Sequence, residues 1–276
     1  MSGIVKTKER LKSTKSTQKV IKAMELVASS KIKKAKDKVI NNNNYFFEIL
    51  DIMNYLKTQE EIKKQLDNNE QNELIITLTS DMGLCGGYNN NVLKTSINYL
   101  NKNSGINFII GNKGITKYDY EKINYNYKIE DSKMKKDYEL ALEMTEVITT
   151  LLKEKKINNV KLIYMRFVNP LVQEVDILDL FKFKKEIKEI NEYIVAGDRK
   201  MIMEELVEQY IVSVCYNCVL NARASEYAAR RNSMEAANNN SLELIEKLDG
   251  EINRIRQAMI TQEISEIIGG AEALKE

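Results

Sequence analysis

Two long stretches of the chain contain neither glycine nor proline, the residues that most often interrupt helices. The first lies between Gly3 and Gly83, and the second lies between Gly197 and Gly250. Six of the eleven glycines fall between positions 83 and 114, and the only proline is Pro170. The sequence therefore predicts a long helix towards each end of the chain and a middle of mixed structure.

The apolar residues of both end segments recur at helical spacing. In the first segment, steps of three and four residues connect Ile21, Met24, Ala28, Ile32, Ala35 and Val39. In the last segment, heptad-like steps connect Ile245, Leu248, Ile252, Ile255 and Met259. This periodicity predicts amphipathic helices. The polar run Asn41–Asn44 is expected to loosen the first helix, which should end before Asn68.

Each end helix needs a partner to cover its apolar stripe. A helix of about 60 residues would be roughly 90 Å long, wider than a compact domain of this size. Residues 1–40 carry twelve Lys or Arg and three Asp or Glu, a net charge of +9, whereas residues 201–276 carry seven and thirteen, a net charge of −6. Opposite charge favours association of the two ends. We therefore predict that the two helices pair as a coiled coil.

The middle of the chain changes period. Short β-rich runs occur at residues 73–80, 106–111, 160–168 and 171–178, and helical segments occur at 90–100 and 138–153. Alternating strands and helices are typical of a layered α/β domain. The predicted domains are an N-terminal helix over 1–68, an α/β domain over 73–195 and a C-terminal helix over 200–276.

The composition excludes several classes of protein. The chain has no histidine, which removes Ser–His and Cys–His catalysis and most zinc sites. Its three cysteines are too few for a disulfide framework and fit a reducing compartment. No run of about 18 apolar residues suggests a membrane helix, and the first residues lack the apolar core of a secretory signal.

Two motifs suggest ligand chemistry, and each also has a structural interpretation. The loop Ser80–Tyr88 is glycine-rich, but it matches neither GxxxxGKS, GxxxxGKT nor GxGxxG. A tight strand-to-helix turn with positive φ is therefore favoured over nucleotide binding. Cys215 and Cys218 form a CxxC within a helical segment, where a packed helix face is favoured over a redox or zinc pair. We predict no catalytic residue, no cofactor and no metal ion.

The basic N-terminal segment has two further interpretations. Its net charge of +9 over residues 1–40 would suit nucleic acid or anionic lipid. However, no aromatic residue precedes Tyr45, so a shaft that runs past acidic protein surfaces is favoured. The alternative is a basic coiled-coil protein that binds nucleic acid or nucleotide.

Five blocks of the sequence resemble the gamma subunits of F-type ATP synthases. They are residues 17–36 (TQKVIKAMELVASSKIKKAK), 79–90 (TSDMGLCGGYNN), 224–231 (ASEYAARR), 233–241 (SMEAANNNS) and 253–274 (NRIRQAMITQEISEIIGGAEAL). The blocks lie in the order of the family and cover both ends and the centre of the chain. Two positions depart from the family pattern, since Met82 stands where the family usually has Arg and Arg231 where it often has Met. The first departure is expected to weaken a polar contact.

The resemblance implies a fold and a function. In the family, the two terminal segments form a long antiparallel two-helix coiled coil, and the centre is a Rossmann-like α/β domain. The shaft turns inside a ring of alpha and beta subunits, which makes or hydrolyses ATP. The chain is thus expected to couple proton or sodium transport to catalysis without an active site of its own or a small-molecule substrate. The epsilon subunit and the c-ring are further expected partners, and the missing transit peptide suggests the cytoplasmic face of a bacterial inner membrane.

The resemblance also implies the residues that contact the beta subunits. Arg256 and Gln257 match an Arg-Gln pair that hydrogen-bonds loops of beta, and Gln262 projects from the same segment. The basic residues Lys31, Lys33 and Lys34 match positions that face an acidic loop of beta, and Met24 matches a position facing the same region.

Overall fold

The computed structural model describes residues 2–57, 72–181 and 199–273. In chain order the helices and strands are α1 (Ser2–Lys57), β1 (Glu73–Leu78), α2 (Tyr88–Leu100), β2 (Gly105–Ile110), α3 (Asn112–Glu121), β3 (Tyr127–Ile129), a 3₁₀ helix (Ser132–Met134), α4 (Asp137–Lys153), β4 (Asn159–Phe167), β5 (Gln173–Asp179) and α5 (Arg199–Ala273). They fall into two compact units. The first unit comprises the chain up to Val27 and from Arg231 onwards, and the second comprises Ala28–Arg230.

In the first unit α1 and α5 pair along a seam of partly or fully covered side chains. On α1 the seam consists of Ile4, Thr7, Leu11, Thr14, Gln18, Ile21 and Glu25. On α5 it consists of Met234, Asn238, Ser241, Ile245, Leu248, Ile252, Ile255 and Met259. Both sets step by three and four residues, which is the heptad spacing of a coiled coil.

Two side-chain contacts give the direction of this pairing. The Lys15 ammonium lies 3.3 Å from the Asp249 carboxylate. The Gln18 amide donates a hydrogen bond of 2.8 Å to Asn238 Oδ1. From the first contact to the second, the residue number increases on α1, from Lys15 to Gln18, and decreases on α5, from Asp249 to Asn238. The two helices are therefore antiparallel. The predicted coiled coil of the two chain ends is therefore confirmed.

The predicted apolar stripe of α1 is wrong at one position. Met24 is 37% exposed, and the half-buried Glu25 takes the seam position in its place. The Lys22 ammonium lies 3.1 Å from the Glu25 carboxylate and neutralises it. A charged residue can sit in the seam because its ion pair offsets the lost hydration.

The expected loosening at Asn41–Asn44 is also wrong, because α1 continues through this run to Lys57. In the second unit, the Asn217 amide of α5 donates a hydrogen bond of 3.3 Å to Asn43 Oδ1. The asparagine side chain thus bonds the facing helix rather than its own backbone, which would have weakened the helix.

The second unit contains a five-stranded sheet in the order β3-β2-β1-β4-β5. The strand β1 pairs in parallel with β2 and β4, and β2 pairs in parallel with β3. The edge strand β5 is antiparallel to β4. The chain turns from one side of β1 to the other between β3 and β4, as in Rossmann-like folds. The predicted α/β architecture is confirmed.

Helices cover both faces of this sheet, because alternate side chains of a strand point in opposite directions. On β1, Leu74, Ile76 and Leu78 join one apolar cluster with residues of α4 and α5, including Met144, Ile148, Val214 and Cys218. Ile75 belongs to a second cluster with Val92 of α2. All six residues of β1 are buried, as expected for the central strand of a parallel sheet.

The predicted strands and helices of the middle segment match β1, β2, β4, β5, α2 and α4 within a few residues. Three elements between β2 and α4 were not predicted, namely α3, β3 and the 3₁₀ helix. The predicted ends of the first helix near residue 68 and of the α/β domain near residue 195 lie outside the described residues, and the domain limits stay predictions.

Candidate partner-binding site

Arg256 and Gln257 lie on α5 in the first unit and are exposed. Ile255 and Met259 lie in the seam, so the side chains of Arg256 and Gln257 point away from α1. Arg256 forms no ion pair with any other residue that the structure describes. The Arg256 guanidinium and the Gln257 side-chain amide are therefore accessible to another protein.

Gln262 is also exposed and lies one turn further along α5. Its amide nitrogen donates a hydrogen bond of 2.9 Å to Glu266, four residues later. An exposed pair at this spacing stabilises a helix by only about 0.2–0.5 kcal/mol, so a partner can displace it at little cost. The structure thus brings all three residues to the outer surface of the last part of α5.

An apolar face follows the end of the seam. It consists of Ile260, Ile264, Ile267 and Ile268, whose exposed fractions lie between 48% and 70%. Their spacing of four, three and one residues places them on one side of the helix. Clustered exposed apolar side chains of this kind mark interaction surfaces.

The other predicted contact residues lie on α1. Met24 belongs to the first unit, and Lys31, Lys33 and Lys34 belong to the second. The Lys31 ammonium lies 5.3 Å from the centroid of the Tyr227 ring, a cation–π contact within the chain itself. Lys33 and Lys34 are exposed, and neither forms an ion pair with another described residue. The two free ammonium groups suit an acidic partner.

The glycine-rich loop Ser80–Tyr88 is a tight turn between β1 and α2. Leu84 and Gly86 have φ values of 62° and 57°, which confirms the predicted positive φ. The Ser80 hydroxyl donates a hydrogen bond of 2.7 Å to the backbone oxygen of Met82. The Ser80 backbone N–H donates a 3.0 Å bond to Asn89 Oδ1. These bonds hold the loop closed on itself.

The carboxyl edge of the sheet, where such sheets bind nucleotides, is covered by α5, whose Ser225 hydroxyl donates a 3.0 Å hydrogen bond to the backbone oxygen of Met165 near the end of β4. The α5 side chains Arg223 and Glu226 line the remaining space together with Thr79, Tyr88 and Ser132, and the cavity measures only about 10 Å³. This volume holds about one water molecule, whereas small-molecule sites measure roughly 300 Å³ or more. This cavity at the ends of β1 and β2 has no room for a nucleotide.

Cys215 and Cys218 are fully buried and not disulfide-bonded. They pack against the sheet among Met144, Leu162 and Tyr164 in the main apolar cluster. Burial raises the pKa of the Cys215 thiol to about 12. A thiol that stays protonated is a poor nucleophile and metal ligand. The predicted packed helix face is confirmed.

One polar contact at the sheet edge was not predicted from the sequence. Arg223, Glu226 and Arg230 lie on one face of α5, and their side chains are only 8% to 14% exposed. The available signal is three charges at spacings of three and four on α5, with the apolar residues Val219, Ala222 and Ala228 as neighbours. Charges at such positions are rarely buried without partners.

Met82, which differs from the family pattern, takes part in this contact through its backbone. Its side chain is 52% exposed, and its backbone oxygen accepts a hydrogen bond of 3.2 Å from the Arg230 guanidinium. The contact between this loop and α5 therefore does not depend on the side chain at position 82.

No helix in the described ranges combines the length and the apolar character that crossing a membrane requires.

Comparison with known sequences gives matches over nearly the whole chain. The ATP synthase family model matches residues 4–274. The ATP synthase gamma chain of Clostridium novyi is 32% identical, over 99% of this chain and 98% of the relative. That of Mycoplasma mobile is 35% identical over 99% of both chains. That of Halothermothrix orenii is 37% identical over 97% of this chain and 98% of the relative.

Solved structures with a similar fold include chains of two mitochondrial ATP synthases. A chain of the central stalk and c-ring of Tetrahymena thermophila ATP synthase has a TM-score of 0.65 and 25% identity, covering 79% of this chain and 99% of that one. A chain of the OSCP/F1/c-ring assembly of Euglena gracilis ATP synthase has a TM-score of 0.68 and covers 99% of this chain and 95% of that one. Its identity is 19%, so this second likeness concerns the fold alone.

Proposed function

Because the chain belongs to the ATP synthase gamma chain family, in which it is a non-catalytic central-stalk subunit, we propose that its paired end helices couple rotation of a proton- or sodium-driven membrane ring to conformational change in the catalytic beta subunits. The supporting observation is the antiparallel pairing of α1 and α5 in a chain that matches gamma chains over its full length. This family assignment replaces the alternative of a coiled coil that binds nucleic acid or nucleotide.

The beta subunits are the proposed partners of the exposed polar residues. Arg256, Gln257 and Gln262 offer a guanidinium and two amides on the outer face of α5, which suits hydrogen bonds to beta-subunit loops. Lys33 and Lys34 offer ammonium groups that pair with no described acidic residue of this chain, which suits an acidic loop of beta. Met24 and Lys31 complete the proposed set.

The ring of alpha and beta subunits is also the proposed environment of the last helical turns. The isoleucines Ile260, Ile264, Ile267 and Ile268 would remain in water if this part of α5 were unaccompanied. A helix with one uncovered apolar face gains stability when another protein covers that face. The exposed face therefore supports a location inside a protein collar.

The remaining partners and the location follow from the family. We propose that the α/β domain binds the epsilon subunit and the c-ring, so that the chain is a peripheral part of a membrane-associated complex. The proposed side of the membrane is the cytoplasmic face of a bacterial inner membrane. The boundaries proposed for the three parts are residues 1–68, 73–195 and 200–276.

Coupling by such a shaft needs no chemistry on the shaft. The outer surface of the α1–α5 pair is not uniform, because α1 exposes basic residues such as Lys8 and Lys12 and α5 exposes acidic residues such as Glu246 and Glu251. As an asymmetric shaft turns, each beta subunit meets a different surface. A contact that is stronger in one beta conformation shifts the population towards that conformation and changes its nucleotide affinity.

The double variant Arg256→Ala, Gln257→Ala tests the proposed contact in a complex reconstituted with alpha and beta subunits. Hydrogen bonds to a charged group are worth about 1.5–3 kcal/mol, so we expect ATP turnover to fall by about tenfold or more. The matched control is Glu246→Ala, Lys247→Ala, an adjacent exposed polar pair on the same helix, for which we expect turnover like that of the wild type.

Two outcomes would contradict the proposal at different levels. Equal turnover of the Arg256 and Gln257 variant and the control would remove the two residues from the beta contact. Coupled ATP synthesis at the normal rate in a complex assembled without this chain would remove the shaft function itself.

A further inference from the structure

The face of α5 that meets the α/β domain carries a row of three nearly buried charges. Arg223, Glu226 and Arg230 are spaced by three and four residues and so project from one side of the helix. Their side chains are 11%, 8% and 14% exposed. Charges with so little access to water need close partners, because burial otherwise disfavours the folded state.

The two arginines bond backbone oxygens of loops at the carboxyl edge of the sheet. The Arg230 guanidinium donates to the backbone oxygens of Met82, at 3.2 Å, and Gly83, at 3.4 Å. The Arg223 guanidinium donates to the backbone oxygen of Ser132 at 2.7 Å. The first loop follows β1 and the second follows β3, so the row of charges spans three adjacent strands.

Asp81 makes these loops a single rigid surface. One of its carboxylate oxygens accepts hydrogen bonds from the Ser132 hydroxyl at 2.8 Å and from the Lys133 backbone N–H at 2.6 Å. The other accepts from the backbone N–H of Asn112 at 3.1 Å. The loops after β1, β2 and β3 are thereby tied together before α5 meets them.

Glu226 lies between Arg223 and Arg230 and forms an ion pair with each of them. Its carboxylate is 2.8 Å from Nη2 of Arg230 and 3.5 Å from Nη1 of Arg223. Arg223 also lies 3.9 Å from the Asp137 carboxylate, which accepts a 2.6 Å hydrogen bond from Lys38 of α1. A line of alternating charges thus connects α1, α4, α5 and the sheet-edge loops within the second unit.

From this arrangement we infer that Glu226 is the positioning residue that locks α5 against rotation relative to the α/β domain and so transmits torque. Apolar contacts are non-directional, so the cluster beneath α5 resists separation better than it resists turning or sliding. Charge-assisted hydrogen bonds are directional, and those of Arg223 and Arg230 break when the helix turns. Because α5 is one continuous helix, twisting its last turns loads these bonds. The inference depends on the proposed stalk function.

The variant Glu226→Gln tests this role. It keeps the size of the side chain but removes the charge that holds both guanidinium groups. In complexes reconstituted into sealed vesicles, ATP turnover without an opposing ion gradient should equal that of the wild type. Against a gradient, the ions moved per ATP should fall, because losing one charge-assisted bond makes slippage about tenfold more frequent. The loss should grow with the gradient.

The chain offers a matched control in Glu235→Gln. Glu235 pairs with Arg231 on α5 at 3.3 Å, with side chains 48% and 32% exposed, and bonds no sheet-edge loop. Its ratio of ions to ATP should equal that of the wild type at every gradient. A merely structural role for Glu226 would reduce the yield of assembled complex but would leave this ratio unchanged for each assembled complex.

A ratio for Glu226→Gln that equals the wild-type ratio at every gradient would overturn the inference. If this variant does not assemble, Arg230→Lys serves instead, since lysine keeps the charge but cannot bond two backbone oxygens in a fork. A smaller loss of the same kind is expected, and no loss would overturn the inference. Failure of the wild-type chain itself to support transport would instead contradict the proposed function.

Discussion

Leu248 tests whether the pairing of the two end helices stabilises the first unit. Its side chain is only 3% exposed and lies in the seam, one step from Ile245 and one from Ile252. Replacing a buried leucine by alanine costs about 2–5 kcal/mol, and the cost is smaller where the surroundings can close the cavity. A two-helix seam has water on both sides and can close partly, so we expect Leu248→Ala to lower the free energy of unfolding by about 2–3 kcal/mol.

Leu244 provides a control with the same chemistry on the same helix. Its side chain is 42% exposed, because it lies beside the seam rather than in it. We expect Leu244→Ala to cost less than about 1 kcal/mol. The two substitutions have the same effect on helix propensity, so their difference isolates burial in the seam.

Urea unfolding of the full chain, followed by circular dichroism at 222 nm, measures both variants. The two units can unfold in separate steps, in which case the step that belongs to the first unit is the one to compare. Limited proteolysis, with cleavage mapped to residues 2–27 and 231–273, identifies that step. Equal unfolding free energies for Leu248→Ala and Leu244→Ala would refute the argument, because the seam would then contribute no packing.

Two further predictions concern the second unit. Gly111 has a φ of 96°, and a Cβ added there would lie 2.4 Å from the Thr79 backbone oxygen. Gly111→Ala should therefore lower the free energy of unfolding, measured in urea, by about 2 kcal/mol or more. A loss as small as that of Gly3→Ala, where nothing lies within 4 Å of the added Cβ, would contradict this. Burial raises the pKa of the Cys215 thiol from 9.0 to about 12. Above pH 9 the unfolded chain therefore loses this proton while the folded chain keeps it. The thiol then lowers the free energy of unfolding by about 1.4 kcal/mol for each pH unit. Cys215→Ala should reduce the slope of unfolding free energy between pH 9.5 and 10.5 by that amount, and an unchanged slope would show that the thiol is not buried.

The coiled coil could be predicted from the sequence because its signal repeats along the helices. Ile245, Leu248, Ile252, Ile255 and Met259 all lie in the seam as predicted. The error at Met24 has a physical cause, since steps of three and four residues both occur in a heptad and the seam position belongs to Glu25. Apolar periodicity cannot identify a charged residue whose burial depends on an ion pair with Lys22.

The elements that were missed between β2 and α4 carry weak local signals. The strand β3 has only three residues, and its position depends on pairing with Phe108–Ile110 of β2. The helix α3 buries little more than Ile115 and Tyr118, so an apolar period is hard to recognise over its ten residues. Both elements are determined by the sheet that they join rather than by their own sequence.

The candidate site was predictable only in part for the same reason. The outward direction of Arg256 and Gln257 follows from the seam positions beside them. The contact of Arg223, Glu226 and Arg230 with loops near residues 82 and 132 joins parts of the chain that are about 90 to 150 residues apart. No local pattern reports such a contact, although three charges on an apolar helix face indicate that partners must exist.

The most direct test of the account is to observe this chain turn inside its complex. Tyr120 is 82% exposed, and the three native cysteines are buried, so a maleimide dye attaches selectively to Tyr120→Cys. With the catalytic subunits fixed to a surface, the account predicts that ATP makes the dye advance in one direction around the complex. Continued ATP hydrolysis at the normal rate while the dye stays at one orientation would contradict the account.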